Sequence, residues 1–334
     1  MKKIIIITIT TLIGFSVQGQ DVHFSQLKST SVYNSVASAG AISNAQLRSS
    51  LHYRNQWFTI GDAYQTYSLA TDYKLEMDDW QGNHIGIGLI LFKDEQGALN
   101  FNRLQAKLSL AYHQKISKYS FISGGVQIGI TQHSIDGSKA EWATQFNGKE
   151  HDKALPSQEG NLFQPFINYD VGAGLLWRYD TKSKNRFTTN AFNTFNIGLS
   201  VYHLTGSSLS YNAGEKDKMK YVAFANTAFF LKENEIELEP SVLFQMKGKE
   251  LEFVFGALNK IIFIEPSYYT GYYSQFDLSF GVYYRLPNDA IIPTVSMNYD
   301  NYSVGLSYDI NLSELNQASA YQGGIEIFLK YMLR

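Results

Sequence analysis

The sequence predicts an all-β fold, a transmembrane antiparallel β-barrel of about 14 strands, and three observations carry that prediction. Apolar and polar residues alternate over ten or more positions at a time, the period-2 signature of strands with two unlike faces. The alternating segments exceed the ~5–6 residues usual in soluble strands and match the ~9–11 needed to cross a bilayer. Beyond residue 20 no apolar run is long enough for a membrane helix, and no segment holds a convincing helical period for more than two or three turns.

The elements follow in order. Residues 1–19 read as a secretory signal peptide. Lys2 and Lys3 form its positive region, Ile4 to Phe15 its apolar stretch, and Val17 and Gly19 its cleavage motif, leaving Gln20 as the mature N-terminus. A permanent transmembrane helix is the competing reading, but the stretch is shorter than the ~20 apolar residues such a helix needs. Residues 20–45 lack alternation and are rich in Ser, Asn and Ala. This segment either lies inside the barrel as a plug or lines its periplasmic mouth. If it fills the lumen, inward residues Asp170, Glu237, Glu239, Glu252, Asp277, Arg178 and Lys247 are expected to form a polar network around it.

The barrel then occupies residues 46–334, with strands predicted at 47–57, 63–75, 83–93, 101–115, 119–132, 165–180, 190–204, 218–232, 235–247, 250–264, 273–286, 290–299, 301–312 and 320–333. In the sixth, Ile167, Tyr169, Val171, Ala173, Leu175, Trp177 and Tyr179 oppose Asn168, Asp170, Gly172, Gly174 and Arg178. The even count suits a bacterial single-chain barrel, which must close because lipid cannot hydrogen-bond a sheet edge. A large secreted β-sandwich is the alternative, and it predicts shorter strands and more prolines in the connections. Loop lengths fit a periplasmic N-terminus at 116–118, 233–234 and about 300, which are tight inner turns, while the longest connection, 133–164, falls outside. The short outer connections near 248–249 and 287–289 and the long inner one near 265–272 break this pattern, and a strand miscount in the last third would account for them.

Composition narrows the function. The 334 residues hold no cysteine, so disulfides, thiolate metal sites, a cysteine nucleophile and N-terminal lipidation are excluded. A formal net charge of −2, or −4 once Lys2 and Lys3 are removed, argues against nucleic acid as a partner. Hydrophobic content of 44% with 17% charged residues is too apolar for a disordered chain.

Blocks spread along the chain carry a family likeness: Gln20-Asp21-Val22-His23-Phe24-Ser25-Gln26, Tyr33-Asn34, Ala39-Gly40, Tyr53-Arg54-Asn55-Gln56-Trp57, Tyr64-Gln65-Thr66-Tyr67-Ser68, Gly86-Ile87-Gly88, Ile128-Gly129-Ile130, Ser307-Tyr308-Asp309-Ile310-Asn311, Gly323-Gly324 and Glu326-Ile327. With them the sequence resembles the PorP/SprF family of type IX secretion outer-membrane proteins of Bacteroidetes. It departs in one place, with Ser35-Val36-Ala37 where the family has an Asn-Pro-Ala stretch. The resemblance implies a non-catalytic outer-membrane protein without cofactors. Its partners would be a secreted protein or adhesin with a C-terminal signal domain, the type IX translocon and outer-membrane lipid. Export, surface anchoring and gliding motility are the implied processes. Family-motif or partner-docking candidates are Tyr53, Arg54, Asn55, Gln56, Trp57, Trp142, Tyr308 and Asp309.

Other motifs reduce to structure. Gly86-Ile87-Gly88 and Gly172-Ala173-Gly174 lie inside strands and open no helix, so they are read as sites of strand bending or close approach of a plug rather than a dinucleotide fingerprint. The seven histidines show no metal spacing. His133 and His151, with Asp136, Glu141, Glu150 and Asp152, read as a solvated loop rather than a hydrolytic site. Asp78-Asp79 reads as a turn, and Tyr268, Tyr269, Tyr272 and Tyr273 as an interfacial girdle. Three classes remain: an export partner and anchor, a diffusion channel for small or hydrophobic solutes, and an outer-membrane hydrolase.

Overall fold

The computed structural model describes residues 24–57, 64–76, 82–97, 99–136, 142–152, 154–156, 164–181, 194–207, 216–232, 235–264, 275–287, 290–312 and 321–333. Fourteen antiparallel strands form one closed barrel: β1 Leu47–Gln56, β2 Tyr64–Glu76, β3 His84–Gln96, β4 Phe101–Lys115, β5 Ser120–Ser134, β6 Phe166–Asp180, β7 Thr194–Tyr202, β8 Lys220–Lys232, β9 Ile236–Lys247, β10 Glu250–Ile264, β11 Phe276–Leu286, β12 Ala290–Tyr299, β13 Tyr302–Asn311 and β14 Gln322–Leu333. Each pairs with its sequence neighbour, and β1 closes on β14 from Leu47↔Leu333 to Gln56↔Gly324. Closure leaves no unpaired edge, which is the condition for a sheet in lipid.

The period-2 pattern sorts the side chains. Outward positions are aliphatic and open, among them Leu89, Val126, Leu175, Val282 and Leu306. Aromatic rings gather near both ends of this band. Tyr73, Tyr112, Trp177, Tyr299 and Tyr302 lie toward the end where β1 begins and β14 stops, here the termini end. Tyr67, Tyr169, Tyr221 and Phe255 lie toward the far end. Such girdles mark the two interfaces of outer-membrane-type barrels. The predicted girdle residues 268–273, the turn at 78–79 and the signal peptide fall outside the described residues.

The last third needs no extra strand: β9 through β14 pair consecutively, with register shifts only at Ile262/Ile264 and Asp309/Ile310. The turn at 248–249 is therefore a true far-end hairpin between β9 and β10, and the strand-miscount explanation is overturned.

Residues 24–46 run down the lumen. They form a short α-helix, α1 Ser31–Asn34, and a 3-10 turn over Val36–Ser38, then lead into β1. Val36 and Ala37 are fully buried there. They sit on a register row of small residues that crosses five strands: Gly86↔Ala111↔Gly125↔Gly174↔Ser200. A Cβ on Gly86 would lie 1.8 Å from the Ala39 carbonyl oxygen, and one on Gly125 would lie 3.0 Å from Ala37 Cα. The row is thus bare so that a second backbone can press against the wall, the close approach expected of these glycines.

Candidate functional site

The lumenal segment is fixed at both ends by buried charge, and the far-end anchor joins the most distant parts of the chain. Arg54 of β1, Arg285 of β11, Asp309 of β13 and Glu326 of β14 all point inward, and none is more than 3% exposed. Arg54 Nη2 and Arg285 Nη1 donate to one carboxylate oxygen of Asp309 at 2.7 and 2.8 Å. Arg54 Nη1 lies 3.4 Å from Glu326 Oε2.

Ser25 completes this cluster from the lumenal side. Its Oγ donates to Asp309 Oδ1 at 2.6 Å and accepts from Arg54 Nη1 at 2.6 Å and Arg285 Nη2 at 2.8 Å. One donor and two lone pairs are the full capacity of a hydroxyl. Its backbone N–H donates to Glu326 Oε2 at 2.7 Å, and that of Gln26 donates to Oε1 at 3.3 Å. Two cations and two anions out of water are tolerable only when their remaining donors and acceptors are met, and Ser25 meets four of them. Next to it, Phe24 packs on Tyr33 at 5.0 Å and on His52 at 5.1 Å.

The termini-end anchor is built the same way. Arg48 Nε and Nη2 grip both oxygens of Asp72 at 2.9 Å, and Asp72 Oδ2 also accepts the Gly40 N–H at 2.8 Å. His113 Nε2 lies 2.8 Å from the Ala39 carbonyl oxygen, with its Nδ1 2.7 Å from Ser123 Oγ. Ser43 bonds Asp180, and Lys28 pairs with Glu239. Burial raises the Tyr33 phenol above the ordinary tyrosine range.

Of the residues singled out in the sequence, Arg54 and Asp309 come together although 255 positions apart. The others do not join them. Tyr53 packs on Tyr67 in a tilted arrangement at 5.1 Å on the outer face, and its hydroxyl accepts from Asn55. Gln56 is opposite Gly324 at the end of β1. Trp57 packs on Tyr64 at 5.2 Å. Tyr308 takes the half-exposed phase of β13, and Trp142 opens a 3-10 turn in the far-end connection after β5. His133 is buried and stacked on Phe166 at 4.7 Å, while His151 bonds Gln145 in that same connection.

The expected lumenal network is only partly realised. Among the described residues Glu239 reaches the segment through Lys28. Glu237 and Asp277 pair with Lys260, Asp170 with His203, Lys247 with Asp217, and Glu252 accepts from Gln245. Sequence reasoning missed Asp72, Asp180, Arg285 and the roles of Ser25 and Glu326. Arg285 carried one usable signal, a charge in the polar phase between Tyr284 and Leu286.

A closed 14-strand barrel with an apolar outside, two aromatic girdles and a lumen occupied by its own N-terminal segment is an outer-membrane-type membrane protein. The chain belongs to the PorP/SprF family: the model for "Type IX secretion system membrane protein PorP/SprF" matches residues 16–331. No curated protein sequence matches it. Among solved structures, a Pseudomonas aeruginosa FadL homologue shares the fold, with a TM-score of 0.51 and 10% identity over 92% of this chain and 94% of that one. The Pseudomonas putida toluene transporter TodX gives 0.48 with 9% identity, over 90% and 92%. CdiB from Acinetobacter baumannii gives 0.44 with 7% identity over 86% of this chain, which spans 60% of that one.

Proposed function

We propose that the protein is a plugged outer-membrane barrel of the type IX secretion and gliding-motility apparatus of a Bacteroidetes bacterium. It assists export of a secreted protein or adhesin that carries a C-terminal sorting domain, and holds that partner at the cell surface beside the translocon. Family membership across residues 16–331 supports the pathway. The single observation that carries the anchor role is the lumenal segment hydrogen-bonded at both ends to buried ion pairs of the wall, through Ser25 at one and Gly40 at the other, which makes the barrel a closed scaffold. The role is non-catalytic: His133 and His151 serve packing and loop structure. In this reading residues 1–19 are cleaved, the termini end faces the periplasm, and the far end presents the connection bearing Trp142 to the partner.

Affinity purification of the full-length protein from its native membrane tests this. A stoichiometric large secreted protein is the expected companion. An isolated barrel that conducts ions in planar bilayers would overturn the proposal and favour a diffusion channel. Loss of a hydrolytic activity on changing His133 or His151 would overturn the non-catalytic role.

A further inference from the structure

The lipid-facing side of the wall carries a cavity that the lumenal segment does not explain. A groove of about 870 Å³ crosses the strands from β4 to β9, between Tyr112 of the termini-end girdle and Tyr221 of the far-end girdle. Among the described residues, none of the segment lines it. Its floor is three small outward residues, each set between two larger ones in the strand register: Gly124 between Tyr112 and Leu175, Ala173 between Val126 and Val201, and Ala223 between Leu199 and Phe244. Packing does not hold Gly124 small. A Cβ there would meet Leu175 Cδ2 at an ordinary 3.8 Å, whereas one on neighbouring Gly125, turned to the lumen, would lie 3.0 Å from Ala37 Cα. The polar groups along the groove are engaged elsewhere. Ser200 Oγ accepts the Val36 N–H at 3.2 Å inside the barrel, and the hydroxyls of Tyr112 and Tyr221 donate to Gln114 and Met219 on their own side of the wall.

The groove is continuous with the lipid-facing band, so its occupant comes from the membrane interior. A hollow there either takes in a chain or forfeits dispersion contacts along its lining. Width selects the occupant. Residues two strands apart stand about 10 Å from one another, so their side chains keep a helix of ~10–12 Å diameter off the floor. A second barrel would bridge the rims and leave the hollow beneath it. An extended peptide would bring backbone N–H and C=O groups into lipid with nothing to bond them. A polymethylene chain is thin enough to enter and needs no hydrogen bond. We propose that this groove is a binding site for the acyl chains of a single membrane phospholipid, recognised by shape and not by headgroup. Its volume falls in the ~300–1,000 Å³ range of small-molecule sites.

Native mass spectrometry of the full-length protein, delipidated in detergent and titrated with dioleoylphosphatidylethanolamine, tests the site. A single lipid per barrel that outlasts all other adducts on collisional activation is expected. Dioleoylphosphatidylcholine has the same chains and should be retained equally. Gly124→Phe fills the groove from its floor and should weaken retention about tenfold, the loss of roughly two buried CH₂ contacts. Ala106→Phe makes the same kind of change outside the groove, between Leu91 and Ile130, and should leave retention unchanged. Ala173→Phe decides the outcome if Gly124→Phe does not fold. Absence of a long-lived adduct, retention that the filled variants keep, or retention that follows the headgroup overturns the proposal. So does a second copy of the chain whose association, and not the lipid's, is lost in the filled variants.

Discussion

The lumenal segment meets two walls of opposite character. Along β3 to β7 the wall is stripped to glycine, alanine and serine, and the contact is backbone against backbone through Val36 to Gly40. Along β1, β11, β13 and β14 the wall is charged, and the contact is a set of hydrogen bonds gathered on Ser25. The first wall recognises shape and tolerates no added atom. The second is charged and balanced within itself, and its members depend on the segment for their remaining hydrogen bonds. Loss of the segment would therefore leave the glycine wall intact but strand Arg54, Arg285, Asp309 and Glu326.

The largest effect is expected at the charged wall. Arg54→Ala leaves Asp309 and Glu326 short of a cation in a buried site, at a cost of about 3–5 kcal/mol. Because Arg54 also bridges β1 to β13 and β14, the barrel itself should unfold at lower temperature, read by heat-modifiable gel mobility in detergent. The double variant Arg54→Gln, Glu326→Gln removes one charge of each sign and should recover part of the loss. An unchanged mobility transition in Arg54→Ala would show that the cluster contributes nothing net.

Gly86→Ala comes next, and it should separate the two walls. The added Cβ meets the Ala39 carbonyl oxygen at 1.8 Å and Gly40 Cα at 2.9 Å, both backbone, so no side chain can rotate away. Overpacking of this kind costs about 3 kcal/mol. The segment should become protease-sensitive while the barrel keeps its melting transition. A protected segment in this variant would mean that the wall yields instead.

The contrast also explains what could be read from the sequence. Alternation located all fourteen strands, because each has one face in lipid and one in the lumen. Where the strand leaves the lipid band that signal fades. β3 was expected to end at Lys93 but runs to Gln96, since Lys93, Asp94, Glu95 and Gln96 still pair with β4 and Asp94 still bonds Thr66. β7 was expected over 190–204 and is described only over Thr194–Tyr202. The glycines signalled a close approach because a missing side chain is visible in sequence. The charged anchor was half legible. Period 2 puts Arg54 and Asp309 on the inner face but says nothing of height, and only the register through β14 sets them 2.7 Å apart. Ser25 has no periodic context at all, so its four bonds could not be inferred.

Ser25→Ala tests that keystone more gently. It removes a hydroxyl shared by three charged groups, worth about 2 kcal/mol. The backbone N–H contact to Glu326 survives, so the segment should loosen at the far end only. Limited proteolysis should then cut nearer residue 25 than residue 40, whereas in Gly86→Ala it should cut nearer residue 40. Identical cleavage patterns would erase the distinction between the walls.

The smallest effect is expected from Tyr33, which belongs to neither wall. Its ring packs on Phe24 at 5.0 Å, but its buried hydroxyl has no partner among the described residues, so Tyr33→Phe should change stability at neutral pH by less than about 1 kcal/mol. The pH dependence is more telling. Burial raises the phenol above its ordinary value, so the folded state holds a proton that the released segment gives up above about pH 10. Below that pH both states are neutral and the contribution is constant; above it, stability of the bound segment falls as pH rises. Tyr33→Phe should abolish that part of the alkaline loss, and tyrosinate absorbance should show one phenol fewer resisting ionisation than in the parent. An alkaline release profile identical in parent and variant would place the sensitive group elsewhere in the molecule.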